Sequence, residues 1–208
     1  MQIAVLASGR GSNLESLFRS LKGHPSARVA LVLSDRAEAR ALDRARDLGV
    51  AAAVIPHDDA EAILRQLRAH EIDWIVLAGY LRRVPRAVVA EYPDRILNIH
   101  PALLPKFGGK GMYGERVHRA VLEAGEAESG ASVHLVDEEY DRGPIVAQRR
   151  VPVEAGDTPQ TLAARVLEVE HALLPEVVRA AAEGRIRIAD GRAWIESGIR
   201  AGRGNVDE

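Results

Sequence analysis

The sequence predicts an α/β fold, Rossmann-like, with a mostly parallel central sheet, helices on both faces and an antiparallel C-terminal portion. Three observations carry this. Continuous apolar runs such as residues 2–7 and 74–77 read as strands buried on both faces. Amphipathic segments alternate with them, as in the spacing of Leu14, Leu17, Phe18 and Leu21. Beyond residue 130 the order changes to two strands in succession around a Gly-Pro turn, which pair antiparallel.

Taken in order, residues 2–7 form a strand, 8–13 the turn after it and 14–21 a helix. Residues 29–33 form a strand, 38–48 a helix, 51–55 a strand, 60–70 a helix and 74–77 a fourth, fully apolar strand. A short helix at 86–91 leads to a strand at 95–99, which Pro101 ends by removing a donor and fixing φ. Residues 106–114 are glycine-rich, with Phe107, Met112 and Tyr113 interleaved, and read as a mobile flap that settles on a ligand or as a permanently packed surface turn. A helix follows at 116–124, then the strand pair 131–136 and 145–151 around Asp141-Arg142-Gly143-Pro144. Thr158 and Pro159 supply the cap and first position of a long helix reaching Ala182. Residues 185–188 and 192–195 predict a terminal hairpin around Asp190-Gly191. Residues 1–200 read as one domain, its N-terminal half binding phosphate, with 201–208 a flexible tail.

Composition excludes several classes of function. The chain has 208 residues, a formal net charge of −2 and a pI near 6.4, which leaves no basic footprint for nucleic acid or an anionic membrane. Lysine occurs only at 22, 106 and 110, so arginine carries nearly all the positive charge, a bias that follows genome composition. Cysteine is absent, which removes disulfides and thiolate chemistry and fits a cytoplasmic protein. The apolar N-terminal run is too short for a signal sequence or a membrane span. Small-molecule substrates and a monomer or weak homodimer are the expected partners.

The chemistry centres on Asn98-Ile99-His100-Pro101. In an extended segment residues i and i+2 share a face, so Asn98 and His100 stand side by side at a strand end. An amide and an imidazole aimed at one point can stabilise an oxyanion and move a proton. Hydrogen bonds to nearby backbone would use the same two residues without any catalysis. Upstream, strand, Ser8-Gly9-Arg10-Gly11-Ser12-Asn13, then helix is an arrangement that offers backbone N–H groups to an anion. Gly9 and Gly11 permit a tight turn and close backbone approach. Asp35, just after the second strand, completes the outline of a dinucleotide fingerprint, but Leu14 stands where its third glycine would be. The polar Asn13 suits a terminal phosphomonoester better. A plain strand-to-helix turn would look alike.

The run from Ser132 to Pro144 adds His134, the acids Asp137, Glu138, Glu139 and Asp141, and a sharp turn. The acidic cluster lacks the ligand number and regular spacing of a zinc or calcium site. Ser8-Gly9-x-Gly11-Ser12-Asn13, Leu97-Asn98-Ile99-His100-Pro101, Ser132-Val133-His134, Asp141-x-Gly143-Pro144 and Ala163-Ala164-Arg165-Val166 followed by Glu170-His171 occur in order along the chain. On these motifs the sequence resembles the glycinamide ribonucleotide formyltransferases, folate-dependent enzymes of purine synthesis, over about residues 1–195.

The resemblance implies a formyltransferase fold and a set of roles. Asn98, His100 and Asp141 would be catalytic. Gly11, Ser12 and Asn13 would hold the phosphate of the ribonucleotide, with Glu170 near its ribose. Leu81, Arg82, Arg83 and Val84, with Asn98, would bind folate, largely through backbone groups. His134 matches a histidine near the same site, with a structural role first. The co-substrate would be 10-formyltetrahydrofolate, and no metal is required. Two departures stand out: a longer loop over 108–117, and no match for an arginine that some members use on the substrate. Within the superfamily a 10-formyltetrahydrofolate hydrolase would keep the same three catalytic residues, usually behind an added N-terminal domain. Methionyl-tRNA formyltransferase would need a further C-terminal domain and a basic surface. A non-catalytic nucleotide-binding sensor would need only the Gly9–Asn13 turn and would leave Asn98, His100 and Asp141 unexplained.

Overall fold

A computed structural model describes residues 1–196. Its main sheet has seven strands in the order β3-β2-β1-β4-β5-β6-β7. These are β1 (Gln2–Leu6), β2 (Arg28–Ser34), β3 (Ala51–Val54), β4 (Trp74–Leu77), β5 (Ile96–His100), β6 (Glu128–Leu135) and β7 (Ile145–Pro152). The first five run parallel; β6 is antiparallel to β5, and β7 to β6. The chain moves outward from β1 to β3, then returns to lay β4 on the other side of β1. Such a reversal of strand order opens a crevice beyond the carboxyl ends of the strands, where ligands bind in open α/β sheets.

Both faces are covered, which explains the continuous apolar strands. Ile3, Val5 and Ala7 pack in one cluster with α1 (Ser12–Leu21), α2 (Arg40–Asp47) and α6 (Pro159–Ala182). Ala4 and Leu6 pack in the opposite cluster with α3 (Ala60–Ala69) and α4 (Arg86–Glu91). The helix α5 (Glu115–Glu123) contributes Val121 to the first cluster. The two-stranded sheet β8 (Ile186–Ala189) and β9 (Arg192–Ile195) is the expected hairpin. The tail expected over 201–208 lies outside the described residues. No described helix is long and apolar enough to cross a membrane.

The differences from sequence lie at element ends and have local causes. Helix α1 starts at Ser12 rather than 14, because Gly11 at φ 74° turns the chain directly into the helix. That takes Ser12 and Asn13 into the first turn, whose N–H groups have no acceptor within the helix. Strand β6 begins at Glu128 rather than 131 because Gly130 lets β7 approach; a Cβ there would overlap the Arg149 carbonyl. At α6 Thr158 and Thr161 close a reciprocal capping box of 3.2 and 2.9 Å around Pro159, so its start is where the sequence put it.

Candidate active site

Strand β5 delivers Asn98 and His100 to the crevice, and its antiparallel partner supplies the neighbours. The register sets Asn98 directly opposite His134 and His100 opposite Ser132. Asp141 arrives from the turn between β6 and β7. Gly143 makes that approach possible, since a Cβ there would overlap the Leu135 carbonyl oxygen. This is a physical reason for the Asp-x-Gly spacing.

The hydrogen bonds fix the protons. His134 Nδ1 is 2.7 Å from the Leu135 carbonyl, which can only accept, so Nδ1 carries a hydrogen. His134 Nε2 is then free to accept from Asn98 Nδ2 at 2.9 Å. The second Asn98 N–H points to Asp141 Oδ1 on a longer 3.3 Å contact. His100 donates from Nε2 to the Phe107 carbonyl at 2.8 Å and turns Nδ1 toward Asp141 Oδ1 at 3.6 Å. Asp141 Oδ2 accepts from the Gly109 N–H at 2.8 Å. Two backbone groups of the glycine-rich segment, at Phe107 and Gly109, are therefore bound to His100 and Asp141 themselves.

His100 and His134 are buried and Asp141 nearly so. Burial holds the His100 pKa below its usual value, against Asp141 and the Phe107 carbonyl, which push it up. For Asp141 burial pushes upward, but the imidazoles of His134 and His100 beside it and the Gly109 N–H together hold it below the usual carboxylate range. For His100 the acceptors facing its two nitrogens favour the charged imidazole and burial opposes it, burial being the larger effect.

A second pair lies across the same cavity wall. Asn13 Nδ2 donates to Glu170 Oε2 at 2.6 Å, with both residues buried. Burial pushes Glu170 up to about 6, the Asn13 bond opposing it. The Asn13 side-chain oxygen is buried and has no protein partner among the described residues.

One cavity of about 890 Å³ runs past both groups. Its walls include Arg10, Asn13 and Glu170, the segment Leu81–Arg82–Arg83, and Asn98, His100 and Asp141. Gly11, Ser12 and Val84 do not line it; Val84 is buried behind the wall. Gly11 has a packing reason of its own: its missing Cβ would lie 2.8 Å from Ala41 Cα of α2. Of the acidic run, Asp137 accepts from the Glu139 N–H and Glu138 pairs with Arg86 at 2.9 Å, while the Glu138 carbonyl accepts from Arg83. Among the described residues no group of three or more His, Cys, Asp or Glu is placed to hold a metal ion.

Sequence reasoning missed His118. It is buried, lines the cavity on α5, has Nδ1 without a partner among the described residues, and is pushed down to about 4 by burial and by His100. Its neighbours Val117 and Val121 are core residues, so its position reads as one more inward-facing site.

The fold is a Rossmann-like α/β sheet with one cavity running past both polar clusters at its strand ends, and comparison with known proteins places it among transferases. Residues 1–178 match the family described as formyl transferase. The phosphoribosylglycinamide formyltransferase of Escherichia coli (strain K12) is 42% identical over 94% of this chain and 94% of its own length. The chloroplastic phosphoribosylglycinamide formyltransferase of Arabidopsis thaliana is 42% identical over 95% of this chain and 69% of its own. Among solved structures, glycinamide ribonucleotide transformylase 1 from Symbiobacterium toebii superimposes with a TM-score of 0.88 at 40% identity, covering 95% of this chain and 94% of that one. The chain belongs to the phosphoribosylglycinamide formyltransferase family.

Proposed function

We propose that the protein transfers a formyl group from 10-formyltetrahydrofolate to the amine of glycinamide ribonucleotide, a step of de novo purine biosynthesis. The observation that carries this reading is a single cavity bordered by the phosphate turn with Glu170, by Leu81–Arg83, and by Asn98, His100 and Asp141. It has the volume expected for small-molecule sites and convergent polar groups. The ribonucleotide phosphate is assigned to the first turn of α1, where Asn13 faces the cavity and Gly11 and Ser12 stand behind it, and its ribose to Glu170. The folate is assigned to Leu81–Arg83 and Asn98, with Val84 packed behind them.

The neutral amine attacks the formyl carbon, and the carbonyl oxygen takes up the electron pair. The Asn98 N–H on the longer 3.3 Å contact is the one such an oxygen can take over. The growing negative charge favours the imidazolium form of His100, which Asp141 also favours. The carbon–N10 bond then breaks, and the proton lost by the attacking nitrogen reaches the departing folate nitrogen through His100 or an ordered water. His134 acts through Asn98 by holding its amide.

Absorbance detection of tetrahydrofolate tests the reading. Product is expected only when glycinamide ribonucleotide is present. Equal rates without it would make the protein a hydrolase, and no product under either condition would leave a binding protein.

A further inference from the structure

Asp35 is the acid that stands where a dinucleotide-binding fold would carry one for a ribose. Here its side chain is 2% exposed and both its oxygens are taken. Oδ1 accepts from the Ser8 hydroxyl at 2.5 Å, and Oδ2 from Arg82 Nε at 2.9 Å. A carboxylate so occupied has nothing to offer a ribose. The Ser8 hydroxyl in turn accepts from the Leu81 N–H at 3.0 Å, and the Ser8 N–H donates to the Gly79 carbonyl at 3.0 Å. Ser8 opens the turn that carries Arg10 and Asn13 into the cavity, and Leu81 and Arg82 line that cavity from another strand end. The four residues thus bridge two of its walls.

We infer that Asp35 is a positioning residue: through Ser8 and Arg82 it holds the folate-lining segment 79–83 against the phosphate turn. The inference rests on the assignment of that segment to folate made above. Its physical basis is a charge-assisted network, buried at Asp35 and Ser8 and open to solvent at Arg82, with each member bonded to the next. Without the carboxylate, the Ser8 hydroxyl and Arg82 Nε lose their acceptor, and the Ser8 oxygen is no longer aimed at the Leu81 N–H. Asn13 and Glu170 keep their own bond and stand outside this chain of contacts. Loss of Asp35 therefore frees Leu81 and Arg82 first, while the Asn13–Glu170 pair keeps the phosphate turn tied to α6.

Calorimetric titration of tetrahydrofolate, and separately of glycinamide ribonucleotide, into wild type, Asp35→Ala, Ser8→Ala and the double variant tests this. Each single change weakens folate binding about tenfold, the scale of one lost charge-assisted hydrogen bond. The double variant is no weaker than either single one, because the network is one unit, and ribonucleotide affinity falls less than folate affinity in every variant, because Asn13 keeps its own bond to Glu170. Asp35→Asn keeps an acceptor for Ser8 and loses the charge toward Arg82, so it gives an intermediate loss and serves if the alanine variant does not fold. Unchanged folate affinity in folded variants overturns the inference, as do equal losses for both ligands or additive losses in the double variant. A wild-type protein that does not bind tetrahydrofolate overturns the proposed function and this inference with it. Wild-type binding with unaffected variants overturns the inference alone.

Discussion

Asn13 in the first turn of α1 donates its amide to Glu170 in α6 across 2.6 Å of space and 157 positions of chain. Among the described residues the Asn13 amide is the one side-chain donor to Glu170, and burial raises its pKa from 4.5 to about 6. A folded-state pKa above the unfolded one means the folded protein holds the proton more tightly. Glu170 is therefore stabilising below about pH 4.5, and that contribution is lost as pH rises through 6.

Glu170→Gln keeps the acceptor for Asn13 and removes the buried charge. At pH 8 the variant should be more stable by about 2 kcal/mol, with no difference at pH 4. Ribonucleotide affinity should fall at the same time, since the carboxylate is assigned to the ribose. Melting curves at the two pH values check the sign. Equal shifts at both would mean that Glu170 does not titrate in the folded protein.

His118 has the opposite sign. Its pKa falls from 6.5 to about 4 in the folded protein, so between those values the unfolded chain binds a proton that the folded one refuses. Acidification through that window should lower stability, by up to about 3 kcal/mol from this group. His118→Phe should flatten that part of the curve. An acid limb as steep as in wild type, by denaturant titration from pH 7 to 4, would assign the loss elsewhere, with His100 the next candidate by the direction of its shift.

The sequence was informative where chemistry and punctuation coincide. Trp74–Leu77 is an uninterrupted apolar run, and Thr158-Pro159 opens α6 with a cap and a pre-set φ, so both elements match their expected limits. Asn98 and His100 were legible together because the strand period alone puts them on one face. The contact of Asn98 with His134 was not, because it follows from the β5–β6 register, which no local pattern encodes. Asp35 completes only the outline of a dinucleotide fingerprint that Leu14 breaks, and its partners in the fold, Ser8 and Arg82, lie 27 and 47 residues away.

By sequence Gly11 is a residue that lets backbone approach an anion. The structure adds that its Cβ position is filled by α2, with Ala41 Cα at 2.8 Å, and that its φ is left-handed. Gly11→Ala should therefore cost stability, at least about 2 kcal/mol from the strained φ and the overlap together. Gly9 has open space around its Cβ position, and Gly9→Ala should be tolerated. Denaturant unfolding of the two variants checks the contrast. Similar small losses in both would show that α2 moves aside easily.

The catalytic assignment makes the strongest claim. His100 and Asn98 both contact Asp141, at 3.6 and 3.3 Å, and both are assigned to one developing oxyanion. Groups that act on one transition state lose it together, so their separate losses should not add. His100→Ala should lower turnover by roughly two to four orders of magnitude, the range for an acid–base group or an oxyanion donor. Adding Asn98→Ala should cost far less than it does alone. Asp141→Asn removes the charge that raises the His100 pKa against burial, so that pKa, already below its usual value, should fall further. In an NMR titration of the folded variant a rise instead would mean that Asp141 does not act on His100 through its charge. Near-normal turnover in His100→Ala would remove the assignment altogether, because no other imidazole of the cavity faces Asp141 with one nitrogen and a backbone carbonyl of the glycine-rich segment with the other.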